Sequence, residues 1–208
     1  MIELLTADTP NGKKISIMLE ELELEYKVTK INIYNNEQFK PEFKKISPFS
    51  KTPVIIDHEN ETSVFESGAI LIYLSEQSGR FYDKKQRTNI NQWLMGQVAY
   101  IGPMLGQHHQ FHHYNPGKSE FGEKRYFQIA KRIYKELDER LFKSNYLAGK
   151  HYTIADIATF PWIARHEWHD IGLKNYKNLT RWYKEISQRK AVQIGYDLLN
   201  NGDQIPKI

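Results

Sequence analysis

Two short runs, Lys51-Thr52-Pro53-Val54-Ile55 and Phe65-Glu66-Ser67-Gly68-Ala69-Ile70, are the most informative part of this chain. In the second run, Glu66 and Ser67 stand where a strand pattern gives way to an apolar helical pattern. A helix that begins there has free N–H groups and a partial positive charge, which bind anions. In the first run, Thr52-Pro53 is expected to be a cis peptide bond that leaves the preceding main chain free to pair with a peptide-like ligand. A small peptide carrying a carboxylate fits both features.

The residues around these runs predict a βαβαββα unit. Strand patterns cover residues 2–6, 26–33, 54–57 and 62–65, and helical patterns cover residues 12–24, a turn through residue 43, and residues 67–77. The first β–α–β unit is expected to pair in parallel, and the last two strands, which a short loop joins, are expected to be antiparallel.

From residue 87 onward only helical patterns remain. We therefore expect a first domain of residues 1–79, a linker of residues 80–86 and an all-α second domain of residues 87–208. Within the second domain, Thr153-Ile154-Ala155-Asp156 has the spacing of a capping box at the start of a helix.

The composition of the 208 residues limits the chemistry that the chain can perform. There is no cysteine, which excludes disulfides, thiolate metal sites and a thiol nucleophile of the protein's own, so any thiol must come from a bound molecule. The net charge of +4 arises from interspersed charges, which does not indicate a nucleic-acid partner. No segment approaches the length of a membrane span and no signal pattern opens the chain, which predicts a cytoplasmic protein without a membrane partner.

Together these features resemble the cytosolic glutathione transferases over nearly the whole chain. Within that superfamily, several runs are similar to the Nu class and its nitrogen-regulator relatives: Thr9-Pro10-Asn11-Gly12-Lys13-Lys14, Gln38-Phe39-Lys40-Pro41-Glu42-Phe43, Ile46-Ser47-Pro48 and Gly102-Pro103-Met104-Leu105-Gly106-Gln107. The resemblance implies a thioredoxin-like first domain, an all-helical second domain, a homodimer and bound glutathione. The better-known relatives reduce disulfide bonds.

The resemblance also implies which residues stabilise the glutathione thiolate. Thr9 and Asn11 precede the first helix, in the loop where the family places its thiol-activating residue. No Tyr, Ser or Cys stands at the usual position, so the Thr9 hydroxyl and the Asn11 amide are the candidate catalytic donors. The alternative is that either residue simply caps the helix, because both types are good N-caps.

The binding residues implied by the resemblance surround the peptide ligand. In the family, the main chain at Thr52, before Pro53, pairs with the cysteinyl part of glutathione, and Glu66 and Ser67 hold its γ-glutamyl end. Gln38 and Lys51 supply further polar contacts, and the alternative for Lys51 is a solvated loop charge. Arg125 aligns with a basic residue that reaches the ligand across the dimer interface, and its alternative is an ordinary surface arginine.

The run His108-His109-Gln110-Phe111-His112-His113 invites a metal hypothesis, because its histidines are spaced i, i+4 on a helix. No acidic third ligand shares their face, and two ligands bind a metal weakly. We therefore expect no metal site.

The leading functional hypothesis is a glutathione-dependent disulfide-bond reductase, which uses one glutathione thiolate as nucleophile and a second glutathione to resolve the mixed disulfide. The same thiolate also suits organic peroxides and conjugation to electrophiles, so the second substrate is a small disulfide, peroxide or electrophile. The alternative from another class is a non-catalytic glutathione-binding regulatory or interaction protein.

Overall fold

The computed structural model describes residues 1–208, which pack as two units. The first unit comprises Met1–Tyr82 and Arg189–Gln204, and the second comprises Asp83–Gln188 and Ile205–Ile208. The domain limits of 1–79 and 87–208 stay a prediction. The packing units differ from those limits at the C-terminus, where residues 189–204 pack with the first unit.

The first unit has the predicted βαβαββα order. Its elements are β1 (Ile2–Thr6), α1 (Pro10–Glu21), β2 (Tyr26–Lys30), α2 (Pro41–Ile46), β3 (Val54–Asp57), β4 (Thr62–Phe65) and α3 (Ser67–Ser78). The sheet has the order β2-β1-β3-β4. β1 and β2 are parallel, whereas β1–β3 and β3–β4 are antiparallel. The thioredoxin-like topology predicted from the sequence is therefore confirmed.

The core of the first unit lies between the sheet and helices α1 and α3. Pro10 occupies the first turn of α1, where its fixed φ angle favours a helix start. The apolar stripe that predicted this helix is buried at Ile15, Met18 and Leu19. The packing of α1 against α3 positions the N-terminal ends of both helices relative to the sheet.

The second unit is helical, as the sequence predicted from residue 87 onward. Its helices are α4 (Arg87–Gly96), α5 (Gly102–His108), α6 (Glu120–Phe142), α7 (Ile154–Ile163) and α8 (Lys177–Ser187), and π-helical turns follow α4 and α5 at Gln97–Ile101 and His109–Tyr114. None of the helices combines the length and apolar character that crossing a membrane requires.

A final helix, α9 (Lys190–Tyr196), packs on α1 within the first unit. The approach is close at Gly195, where a Cβ atom would lie 2.6 Å from the Cα of Ile17. Two ion pairs accompany this contact: Arg189 with Glu21 at 2.5 Å, and Lys13 with Asp203 at 2.7 Å. The C-terminal segment thus packs against α1 and stabilises its position.

Helix α7 is the buried centre of the second unit, with all ten of its residues buried. The predicted capping box is present at its start. The carboxylate of Asp156 accepts hydrogen bonds from the main-chain N–H groups of Leu147 (2.9 Å) and Thr153 (3.0 Å), and from the Trp182 indole (2.9 Å). Burial nevertheless raises the pKa of Asp156 to about 6, against the effect of these hydrogen bonds.

Candidate functional site

Strand pairing brings three predicted segments to one end of the sheet. Leu5 near the end of β1 pairs with Val54 at the start of β3, and Val54 pairs with Phe65 at the end of β4. The residues that follow β1, precede β3 and follow β4 are therefore neighbours. These are the loop with Thr9, the peptide bond before Pro53, and the start of α3.

The start of α3 has an unusual main-chain geometry. Glu66 has φ 70° and ψ 117°, a conformation that residues with a side chain rarely adopt and that costs on the order of 1–3 kcal/mol. Its carbonyl accepts the Ile70 N–H at 2.9 Å, whereas its side chain caps no helical N–H and is exposed. The first turn of α3 carries no acidic side chain. The partial positive charge of this helix start is thus not neutralised from within the helix.

Ser67, the first residue of α3, is buried and lies against a lysine of α1. The Nζ atom of Lys14 is 3.2 Å from the Ser67 hydroxyl oxygen. Burial lowers the pKa of Lys14 to about 7, and the Glu66 carboxylate partly opposes that shift. The sequence analysis missed Lys14, because it is one of 29 basic residues and only the packing of α1 against α3 brings it to Ser67.

The Thr52–Pro53 peptide bond is cis, as predicted. The loop before it is held by Ser47, whose hydroxyl donates to the Lys51 carbonyl (2.8 Å) and accepts the Lys51 N–H (3.1 Å). The Thr52 N–H and C=O have no hydrogen-bond partner within residues 1–208. The Lys51 side chain is exposed, which also fits its alternative as a solvated loop charge.

Thr9 caps helix α1. Its side-chain oxygen accepts the Gly12 N–H at 3.1 Å, which is the capping hydrogen bond considered from the sequence. A threonine hydroxyl has one donor and two acceptor positions, and the cap uses only an acceptor. The O–H of Thr9 thus retains its proton for a ligand. Asn11 is half-buried in the first turn of the same helix, which carries no acidic residue.

Gln38 lies between β2 and α2. Its amide nitrogen donates to the Ile33 carbonyl at 3.4 Å, a long hydrogen bond, and its Oε1 atom is buried without a protein partner. A buried acceptor without a partner is costly, and a bound ligand with an N–H group would satisfy it.

Arg125 belongs to the second unit, where it is exposed on α6. It lies in an open groove together with two further cationic side chains, Lys124 and Arg132, and with the exposed ring of Phe121. The role assigned to Arg125 by resemblance stays a prediction.

The histidine run of the second unit forms part of an aromatic cluster. His109 stacks on His169 with 4.6 Å between ring centres, and His113 stacks on Trp168 at 4.0 Å. His108 is fully buried and hydrogen-bonds to the His169 carbonyl at 2.9 Å. Burial lowers the pKa of His109 to about 3 and that of His169 well below its ordinary value. These imidazoles are neutral at physiological pH.

No group of three or more His, Cys, Asp or Glu side chains in residues 1–208 is arranged to hold a metal ion. The i, i+4 spacing of the run produces ring stacking instead, with His108 on His112 at 4.8 Å.

Family models match both units of the chain. The N-terminal domain model of glutathione S-transferase matches residues 3–76, and the C-terminal domain model of glutathione S-transferase matches residues 105–190. The chain belongs to the glutathione S-transferase family. The resemblance found from sequence motifs is thereby confirmed, and the match to the first domain model contains Thr9, Pro53 and Ser67.

Individual members of the family are similar over almost their full length. The disulfide-bond oxidoreductase YfcG of Escherichia coli (strain K12) is 42% identical over 198 residues, which cover 92% of this chain and 92% of that protein. A glutathione transferase from Burkholderia graminis, solved with two glutathione molecules bound per subunit, superimposes with a TM-score of 0.90 at 35% identity, covering 97% of this chain and 89% of that one. A Pseudomonas putida glutathione transferase, solved with one glutathione disulfide per subunit, has a TM-score of 0.87 at 36% identity, covering 95% and 91%.

Proposed function

We propose that this protein is a glutathione-dependent disulfide-bond reductase. The observation that carries the proposal is the convergence, at one end of the sheet, of two helix N-termini, the Ser67 hydroxyl and the unpaired main chain of Thr52. These groups suit a peptide with a carboxylate. Because the chain has no cysteine, a reductase of this kind must use the thiol of its ligand.

The binding roles follow from the chemistry of each group. Glu66 and Ser67 take the amino and carboxylate groups of the γ-glutamyl end, and the Thr52 main chain before Pro53 pairs with the cysteinyl residue. The buried Oε1 atom of Gln38 accepts a hydrogen bond from the ligand, and Lys51 provides a positive charge at the edge of the site.

Arg125, exposed on α6, binds a carboxylate of the ligand held by a second copy of the chain.

The reaction needs two glutathione molecules, and two bound per subunit are found in the Burkholderia graminis relative. The first thiolate, stabilised by the Thr9 hydroxyl and by Asn11, attacks one sulfur of the substrate disulfide. A new S–S bond forms as the old one breaks, and the released thiolate takes a proton from water. A second glutathione thiolate then attacks the glutathione sulfur of the mixed disulfide, which releases the other substrate thiol and glutathione disulfide. Two electrons pass from two thiols to the substrate.

The same thiolate also suits organic peroxides and electrophiles, so these are secondary substrate classes of the proposal. The name of the Escherichia coli relative favours disulfides. A cytoplasmic location belongs to the proposal as well, because the cytosol keeps glutathione in its reduced form.

The proposal is tested by following glutathione-dependent reduction of a small disulfide with purified protein, alongside a hydroperoxide and a haloarene. Alkylation of the protein by iodoacetamide, followed by its removal, is a control that this chain makes possible. Because there are no cysteines to alkylate, activity is expected to survive, whereas a contaminating cysteine-dependent reductase would be inactivated.

Disulfide reduction that persists after alkylation supports the proposal. Glutathione binding without turnover on any of the three substrates would instead support the alternative, a glutathione-binding regulatory protein. Absence of glutathione binding would contradict both the reductase and the regulatory protein.

We further propose a homodimer in which the first unit of one copy meets the second unit of the other. Phe49, in the loop before Lys51, has 71% of its surface exposed. The second unit has a cavity of about 450 Å³ with the apolar lining residues Trp93, Tyr100, Ile101, Ile133 and Leu137. An exposed aromatic ring and an apolar cavity on the same chain complement each other across a two-fold axis.

Light scattering at micromolar concentration is expected to report a dimer, and Phe49→Asp to report a monomer. Tyr34, a residue that is 89% exposed in the same unit, provides the matched control Tyr34→Asp, for which the dimer is expected to persist. A monomeric wild type would contradict the homodimer.

A further inference from the structure

Lys14 is a buried cation whose position the proposed reaction does not explain. It leaves only 1% of its surface exposed, and its Nζ atom is 3.2 Å from the Ser67 hydroxyl oxygen. Lysine is almost never fully buried unless it is paired, because removing its charge from water is costly. Lys14 thus places a buried amine against the first residue of α3, next to the hydroxyl that is proposed to bind the ligand.

The hydrogen-bonding capacity of the two groups defines what Lys14 can do. An ammonium group only donates, whereas a serine hydroxyl has one proton to donate and two lone pairs. When protonated Lys14 donates to the Ser67 oxygen, the Ser67 proton must point elsewhere and is available to a ligand carboxylate. A neutral amine can instead accept that proton, which turns the hydroxyl away from the ligand.

We propose that Lys14 is a positioning residue of the carboxylate site, which donates to the Ser67 hydroxyl and thereby directs the Ser67 proton toward the γ-glutamyl carboxylate of glutathione. This inference rests on the proposed glutathione binding. Lys14 acts through Ser67 and contacts no reacting atom.

Binding is consequently linked to protonation of Lys14. Burial places the pKa of Lys14 at about 7 in the free protein, with the Glu66 carboxylate as the acidic group that favours the charged form. Its neighbour Lys13 on α1 is held by Asp8 at 2.9 Å and Asp203 at 2.7 Å. A ligand carboxylate adds a negative charge near Lys14 and favours its protonated form. Above neutral pH, ligand binding takes up a proton, and affinity falls as the pH rises.

The neighbouring lysines provide a matched pair for separating binding from stability. Lys13 and Lys14 are equally buried, at 1% exposure each. Lys13→Met removes the buried cation that pairs with the carboxylates of Asp8 and Asp203, and is expected to lower the melting temperature. Lys14→Met removes a buried amine whose charged form burial disfavours, and is expected to lower the melting temperature of the free protein less than Lys13→Met does.

The test is calorimetric titration with S-methylglutathione, which has no ionisable thiol, in two buffers of different ionisation enthalpy at pH 8. The ligand's own amine contributes the same proton uptake to the wild type and to Lys14→Met, so the difference between the two proteins reports Lys14. The wild type is expected to take up roughly half a proton or more per bound ligand in excess of Lys14→Met. Lys14→Met is expected to bind about tenfold more weakly at pH 7, with a smaller difference at higher pH. Lys135→Met, which changes an exposed lysine of α6, is expected to match the wild type.

A wild type that binds S-methylglutathione with the same affinity and proton uptake as Lys14→Met overturns this inference alone. A Lys14→Met protein with lower melting temperature and unchanged affinity also overturns it, because the lysine is then only structural. A wild type that does not bind S-methylglutathione overturns the proposed function and this inference with it.

Discussion

Buried titratable side chains gather in both units, but their surroundings differ. In the first unit, the amine of Lys14 contacts the Ser67 hydroxyl at the N-terminus of α3, near the exposed carboxylate of Glu66. In the second unit, His108, His109 and His169 pack against aromatic rings, and each leaves one ring nitrogen without a partner. The first arrangement is a candidate site, whereas the second is a core that holds its imidazoles neutral.

The contrast shows that conspicuous residue types in a sequence do not locate the chemistry. The histidine run draws attention in the sequence, yet the structure uses it for packing. The lysine at position 14 carries no signal of its own, yet it lies behind the hydroxyl that the ligand hypothesis requires. A titratable group becomes part of a site when its neighbours present polar atoms to a ligand.

Acidification is expected to have the largest effect, because it charges the buried histidines of the second unit. The pKa values of His108, His109, His166 and His169 are lowered by burial, so the unfolded chain binds more protons below its ordinary histidine pKa of ~6.5. Their contribution to stability is present above that pH and is lost as the pH falls toward the folded values. His109, with a pKa of about 3, alone is expected to lower the free energy of unfolding by on the order of 3 kcal/mol between neutral pH and pH 4. Asp156, with its raised pKa, stabilises the folded chain as the pH falls from about 6 to 4. This one carboxylate does not offset the loss from the four histidines.

Tryptophan fluorescence measures this loss selectively, because all four tryptophans lie in the second unit. The emission is expected to shift to the unfolded value on acidification below pH 6. His109→Phe keeps the stacked ring and removes the titration, so its acid midpoint is expected to lie at lower pH. His151→Phe, at an exposed histidine, is the control. An unchanged midpoint in His109→Phe would mean that the cluster does not govern acid stability.

The next largest effect is expected at Asp156, the structural carboxylate of the second unit. Asp156→Ala leaves buried donors of Leu147, Thr153 and Trp182 without an acceptor and is expected to cost about 3 to 5 kcal/mol. Asp156→Asn retains one acceptor oxygen and is expected to cost less. Urea unfolding of the three proteins measures both differences. A cost below about 1 kcal/mol for Asp156→Ala would show that the hydrogen bonds around α7 are replaced by water.

In the first unit, loss of a catalytic donor is expected to affect turnover more than stability. Thr9→Ala and Asn11→Ala are each expected to lower turnover by up to about 3 kcal/mol of transition-state stabilisation, with much of the glutathione affinity intact. Thr9 also caps α1, so Thr9→Ala costs about 1 kcal/mol of stability as well. Thr9→Ser keeps both the cap and the hydroxyl and is expected to restore activity. Full activity in Thr9→Ala and Asn11→Ala would show that the thiolate lies elsewhere.

The sequence was sufficient to predict the features that depend on local pattern. Alternation and turn residues predicted the four strands, the start of α3 at Ser67 followed from the change of pattern, and the capping box followed from Thr153 and Asp156 three residues apart. The cis bond at Pro53 was also predicted and is confirmed. Each of these features is set by residues close together in the chain.

Features that depend on tertiary packing could not be predicted. Lys14 meets Ser67 only because α1 packs on α3, and Lys13 meets Asp203 only because α9 returns to α1. Helix α7 ends at Ile163, where main-chain hydrogen bonds between residues three apart, from Arg165 to Trp162 and from His166 to Ile163, replace the helical pattern. The positive φ of Glu66 likewise gives no sign in the sequence.

The central claim, that the ligand site lies at the start of α3, is tested most directly by titrating glutathione disulfide into the wild type, Ser67→Ala and Ser78→Ala in a calorimeter. Ser78 ends the same helix and is exposed, so its substitution makes the same chemical change away from the site. Ser67→Ala is expected to weaken binding by roughly 1 to 2 kcal/mol through loss of a charge-assisted hydrogen bond, and Ser78→Ala to leave it unchanged. Equal affinity in all three proteins would contradict the claim.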